Sequence, residues 1–327
     1  MSIADVVLMV AILALAGWVF YRYFLKKKGA CAGCTACACG KNKTIGDNRS
    51  MFRQMDEKTL SSKNRTSMVR LTVAVTAFVG ALLFASMTHA GHPLITDDAG
   101  TQGKGKGQIE IGFQFWHHRE AVDATTTDKK EGGEITPVIT VGLHDRVDLV
   151  AAIPYQWWSM ETNGARVSRA DGVADISLDL KWRFFDHEGW GLAVKPGFSL
   201  PTGSEEQGLG SGRMAYHIFF IATKELGPLA CHLNLGYIRN ENNVGDHRDI
   251  WRASFAAEYE VVKDLRVMAD IGTQRNPAAD SSTHPAFALG GLAYAFSERI
   301  SVDGGVKFGL NKAETDVTYL FGMTIKF

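Results

Sequence analysis

Proline is scarce in this chain, and past residue 90 so is cysteine. Only 8 prolines occur in 327 residues, and Cys231 is the single cysteine after Ala90. A lone thiol excludes an intramolecular disulfide framework from that long portion. Net charge is also missing, since 35 Lys/Arg balance 35 Asp/Glu, and no nucleic-acid partner is expected. The glycines from Gly103 to Gly107 lack the following helix and the Lys-Ser/Thr of a phosphate loop. His217 and His232 have no Ser and Asn or Asp at readable spacing, so no hydrolytic constellation stands out and no chemical step is implied.

The neutrality hides a division. Residues 1–90 hold 12 Lys/Arg against 4 Asp/Glu, which leaves 23 against 31 for the remainder. Such a split points to two compartments or two roles. Glycine is abundant, at 34, which suits closely approaching strands better than helical packing.

The first part reads as a series of short segments. Residues 1–28 form an apolar helix long enough to span a bilayer, with Lys26, Lys27 and Lys28 holding its trailing end in the cytoplasm and the helix in the inner membrane if it is retained. Residues 29–40 carry Cys31, Cys34, Cys37 and Cys39. Four thiolates this close are candidate ligands for iron, an iron–sulfur cluster or another soft metal, with a redox-active or disordered tail as the other reading. This block resembles the small cysteine-rich membrane proteins associated with the FeoB ferrous-iron transporter. Residues 41–67 are polar and without period, a disordered linker. Residues 68–90 have a basic start, an apolar centre and small residues before the cut, the pattern of a signal peptide cleaved between Ala90 and Gly91; a second membrane helix is the alternative. Two export segments in one chain imply either a fusion or two joined reading frames, the second beginning at Met51 or Met68.

After residue 107 a period of two takes over. From Val173 to Phe185, Ile176, Leu178, Leu180, Trp182 and Phe184 face one way, and Asp175, Ser177, Asp179, Lys181 and Arg183 the other. Similar stretches begin with Ile109, Ile135, Val147, Trp190, Met214, Leu229, Trp251, Leu265, Ala286, Ile300 and Val317, which makes twelve strands of about ten residues, the length a tilted strand needs to cross a bilayer. Odd-to-even links are long, as in 117–133, 159–172 and 201–213, and even-to-odd links are tight, as in His144-Asp145 and 262–264. Barrels of bacterial outer membranes alternate in this way. Aromatics sort to strand ends as two belts, Trp182, Trp190, Tyr259 and Phe327 at one rim and Phe115, Tyr155, Tyr237 and Trp251 at the other. A soluble β-sandwich has no reason to do either. The fold expected is all-β, an antiparallel transmembrane β-barrel of about twelve strands over residues 108–327, preceded by the two helices, with residues 91–107 as a periplasmic tail that has plugging of the lumen as its alternative.

Two resemblances bear on function. The closing stretch VTYLFGMTIKF resembles the last strand of bacterial outer-membrane barrels, which implies that Phe327 is an assembly signal for the outer-membrane assembly machinery of a Gram-negative bacterium. The run HPLITDD from His92 to Asp98, followed by Gly100-Thr-Gln-Gly103-Lys104-Gly105, resembles a family of outer-membrane transporters of the meta-pathway of phenol degradation. That likeness covers most of residues 91–327 and implies passive uptake of small organic, aromatic solutes with no cofactor for the barrel. A non-conducting structural barrel and an outer-membrane lipid hydrolase are the alternatives.

The pore-lining candidates on the polar faces are Asp175, Asp179, Lys181, Arg183, Lys195, His232, Asn234, Arg252, Glu258, Arg266, Asp270, Asp303 and Lys307. Mixed signs suit neutral or modestly charged solutes, or ion pairs that stiffen the wall. The loop from Thr202 to Gly212 reads as a solvated surface loop, with folding in to narrow the channel as the alternative, and Cys231 as a small apolar residue on the outward face.

Overall fold

The computed structural model describes residues 91–121 and 125–327. The expectations for residues 1–90, including the cysteine set and the signal segment up to Ala90, lie outside the described residues.

Fourteen strand segments follow one another: β1 (Gly107–Ala121), β2 (Thr127–His144), β3 (Val147–Ala152), β4 (Tyr155–Thr162), β5 (Ala165–Val173), β6 (Ile176–His187), β7 (Trp190–Leu200), β8 (Ala215–Leu226), β9 (Leu229–Arg239), β10 (Asp249–Val262), β11 (Leu265–Gln274), β12 (Ala286–Ala295), β13 (Ile300–Gly309) and β14 (Val317–Lys326). Every pairing is antiparallel, and β1 pairs with both β2 and β14, so the sheet closes on itself. The barrel has twelve strands, because β3 with β4 and β5 with β6 are each one strand broken midway. The lower part of β2 pairs with β3 and its upper part with β4, while β3 pairs with β6 and β4 with β5. The break falls at Pro154, which has no N–H for the ladder. Its carbonyl accepts the N–H of Ala174 at 2.9 Å, so both strands break at one level.

The alternation decides which face meets what. On β6, Leu180 is 42% and Trp182 50% exposed, while Asp179 and Lys181 between them are 8% and 7% exposed. The same inversion runs round the ring: large apolar side chains such as Phe220, Leu235, Phe255, Ile271, Leu292 and Phe321 point outward, and Thr140, Asp148, His232, Asn234, Glu258 and Asp270 are buried within. A wall that is oily outside and polar inside is stable only when lipid covers it, and closure leaves no backbone edge unpaired in that lipid.

Two of the expected long links are largely strand. β1 and β2 stay paired as far as Ala121↔Thr127, and β4 and β5 turn at Asn163-Gly164 with φ of 53° and 81°. Apolar alternation stops before these strands do. Beyond the bilayer both faces are wet, so the ladder continues without a hydrophobic period to reveal it.

The larger correction concerns residues 91–107. Instead of trailing as a tail, they run inside the ring, where Pro93, Thr96, Asp98 and Ala99 are buried. Gly103 and Gly105, at φ of 85° and 76°, turn the chain in from β1. This inner segment enters at the end of the barrel that carries the tight turns, with Lys104 N bonded to the Asp145 carboxylate at 3.1 Å and Gly105 N to Gly142 O at 2.9 Å.

Candidate channel lumen

Inward side chains from most of the ring grip the inner segment, and five of the pore-lining candidates, Lys181, Lys195, Asn234, Asp270 and Asp303, are among them. His92 Nδ1 lies 2.5 Å from Asp303 on β13. Asp270 on β11 accepts three bonds, from Ile95 N at 2.7 Å, Thr96 N at 2.9 Å and Thr96 Oγ1 at 2.7 Å. Lys181 on β6 and Lys195 on β7 donate to the two oxygens of Asp97 at 3.0 and 2.6 Å. Burial alone would push the Asp97 carboxyl up; the two ammonium groups outweigh it and hold the carboxyl well below the usual carboxylate range. On β9, Asn234 in its satisfied orientation meets the backbone N–H and C=O of Asp97. Further down, Gln102 N donates to Asp148 on β3 at 2.9 Å.

A relay anchors the middle of the segment. Ala99 N donates to Thr223 Oγ1 at 2.9 Å, which leaves the hydroxyl proton for His232 Nδ1 at 2.9 Å. The other ring nitrogen then donates to Glu258 at 3.1 Å, and Glu258 also accepts from Arg266 at 2.6 Å. Each polar group in this chain has a partner, as burial requires.

Apolar contacts complete the fit. Leu94 and Ile95 pack on Phe287, Leu289 and Leu320, and Ala99 on Ala193 and Ile221. The His92 ring lies in a clearing made by Gly112 and Gly322, which face each other across β1 and β14; a side chain at either would overlap it. Pro93 fills a second clearing at Gly291 and Gly305.

Not all candidates touch the plug. Asp179 pairs with His217, Arg183 with Asp186 at 3.3 Å, and Lys307 with Glu314 at 2.9 Å. Asp175 holds the loop between β7 and β8, accepting from Gly203 N at 3.0 Å and from Ser211 N and Oγ, each at 2.9 Å. That loop is therefore a surface loop fixed to the wall at Asp175, with Leu209 buried and its other residues exposed or half-buried. Asp175→Ala should free it: endoproteinase Glu-C should cut at Glu205 or Glu206 about tenfold faster than in the parent protein, as local opening predicts.

A cavity of about 600 Å³ remains beside the plug. It runs from the tight-turn rim at Tyr294 and Arg299, past Lys326, Glu110 and Thr136, to Arg252, Met268 and Leu320. Cavities that hold small molecules span roughly 300–1,000 Å³. Glu110, Glu134, Asp148 and Lys326, all lining it, were missing from the candidates, although Glu110 and Asp148 stand alone between apolar neighbours in their strands. His217 and His232 both turn into the lumen, whereas a lipid hydrolase of this architecture needs them on the outer wall. Cys231 sits on the outward side of β9, its neighbour His232 facing in.

Residues 93–327 match the family model described as Putative MetA-pathway of phenol degradation. No curated protein matches the chain. Among solved structures, an outer membrane channel from Pseudomonas putida F1 is 15% identical, with 70% of this chain and 98% of that one covered at a TM-score of 0.57. The KdgM porin is 10% identical over 67% and 99% of the two chains at 0.44, and the CymD monoaromatic hydrocarbon channel 11% identical over 68% and 88% at 0.39. At such identities the likeness is one of fold.

Proposed function

The chain belongs to the family described as Putative MetA-pathway of phenol degradation, and from that premise we propose that its barrel is an outer-membrane channel for passive uptake of small organic solutes, aromatic ones included. The observation that carries this reading is the cavity of about 600 Å³ left between plug and wall. It has polar groups along its length and apolar ones at Leu94, Ile95, Met268 and Leu320, so a solute with a ring and a polar substituent finds a partner for each. The mixed charges of the lumen disfavour strong selection between small ions.

Insertion is proposed to depend on Phe327. Its backbone N–H donates to Gly107 O, and Gly107 N to Phe327 O, both at 2.9 Å, so this residue completes the β1–β14 seam while its ring stays exposed. Such a residue is available to the outer-membrane assembly machinery as well as to the closed ring.

Planar-bilayer recording of the purified protein tests the channel. Discrete small steps are the expected result, together with swelling of proteoliposomes in small aromatic solutes. Silence across many insertions, with no swelling, would leave the non-conducting structural barrel as the reading.

A further inference from the structure

The cavity beside the plug has an imbalance of partners. Four of its wall carboxylates are engaged: Asp148 by Gln102 N, Asp303 by His92, Glu110 by Gln108 and Glu134 by Gln156. The carboxylate of Asp97 holds both Lys181 and Lys195, and Arg266 is bound to Glu258. Arg252 is different. It faces inward from β10 and lines the cavity, yet among the described residues no hydrogen bond or ion pair engages its guanidinium. Lys326, nearer the tight-turn rim of the same cavity, has a side-chain ammonium in the same condition. These acceptors are occupied and, inside the exposed rim where Glu298 and Arg299 lie, two cationic donors are free.

Five N–H groups in a planar fork match a carboxylate bidentately, which a point charge does not. Arg252 stands opposite Gly236 on β9, and that glycine's inner space is covered by the Phe219 ring lying on it. The apolar lining of the same cavity includes Leu94, Ile95, Met268 and Leu320. We propose that Arg252 is the recognition site for the carboxylate of a small organic monoacid whose apolar body lies on Leu94, Ile95, Met268 and Leu320, with Lys326 receiving the same carboxylate nearer the exit. The inference rests on the channel reading and narrows its solute class from small organics to organic acids.

Benzoate and its neutral counterpart benzyl alcohol are the probes, titrated calorimetrically into the full-length protein in detergent, so that binding is read without conductance. Benzoate should bind the parent protein and lose about tenfold or more in affinity in Arg252→Gln, the scale of one charge-assisted contact. Arg252→Lys should retain part of the affinity, and Lys326→Gln should weaken benzoate less than Arg252→Gln. Benzyl alcohol should bind more weakly than benzoate and be indifferent to all three changes. Circular dichroism and the thermal transition check that each variant is folded; should Arg252→Gln unfold, Arg252→Lys carries the comparison. Equal benzoate affinity in the parent and the folded Arg252 variants overturns the assignment, as does benzyl alcohol binding as tightly as benzoate. A silent bilayer with intact benzoate binding would instead sink the channel and leave the site.

Discussion

Asp97→Asn should open the barrel. The parent carboxylate is held by Lys181 and Lys195 together, and removing one partner from a buried ionic cluster costs about 3–5 kcal/mol. That cost falls on the plugged state, since a displaced segment returns its amide to water. In planar bilayers the variant should show larger or longer openings than the parent, and its reversal potential in a salt gradient should move toward anions, because Lys195 loses its counter-charge and Lys181 keeps only Asp98 at 3.7 Å. The same pair sets a pH expectation. A carboxyl whose pKa is depressed on folding contributes stability above its ordinary value of 3.8 and loses it only as pH falls toward the depressed one. The contribution of Asp97 is therefore the same at pH 7 and pH 5, and the gap between parent and variant should persist across that interval. Equal traces for the two proteins at pH 7 would mean that the lysines do not hold the plug.

A second large effect is expected of Asp270→Ala. This carboxylate is 1% exposed and takes both backbone N–H groups of Ile95 and Thr96 together with the Thr96 hydroxyl. Alanine leaves those donors buried without acceptors, at about 1–3 kcal/mol for each. Amide hydrogen exchange of the peptide spanning residues 91–100 should quicken on the order of 100-fold, while exchange in β8 and β9 stays near parental rates. The combination separates a loosened plug from a damaged barrel. Unchanged exchange at Ile95 and Thr96 would show that the apolar contacts of Leu94 and Ile95 suffice.

The wall was legible in the sequence because a membrane strand writes its environment into every second residue. Leu180 and Trp182 against Asp179 and Lys181 fix both the strand and its facing, and the tight turns fix the count of twelve. The plug has no such script. Thr96 to Lys106 has neither an apolar period nor the length of an element, and its place depends on wall side chains that lie 41 to 174 residues away in the chain. One signal was present: two adjacent aspartates in the leading segment and two lysines, Lys181 and Lys195, on the inward faces of neighbouring strands. The extensions of β1–β2 and β4–β5 were missed for the opposite reason. Their residues obey the backbone ladder after the hydrophobic reason for alternation has ended, and only Asn163-Gly164, the pair that a tight hairpin favours, marked the turn.

The plug is joined to the wall it blocks. Only the few residues from Gly103 to Gly107 separate the anchor of Gln102 on Asp148 from the start of β1. A blocker on so short a leash does not diffuse away when its bonds break; it stays near the lumen at an effective concentration of millimolar order. Reblocking is then a unimolecular event, with a lifetime that neither protein density in the membrane nor dilution can alter, and each molecule keeps its own time.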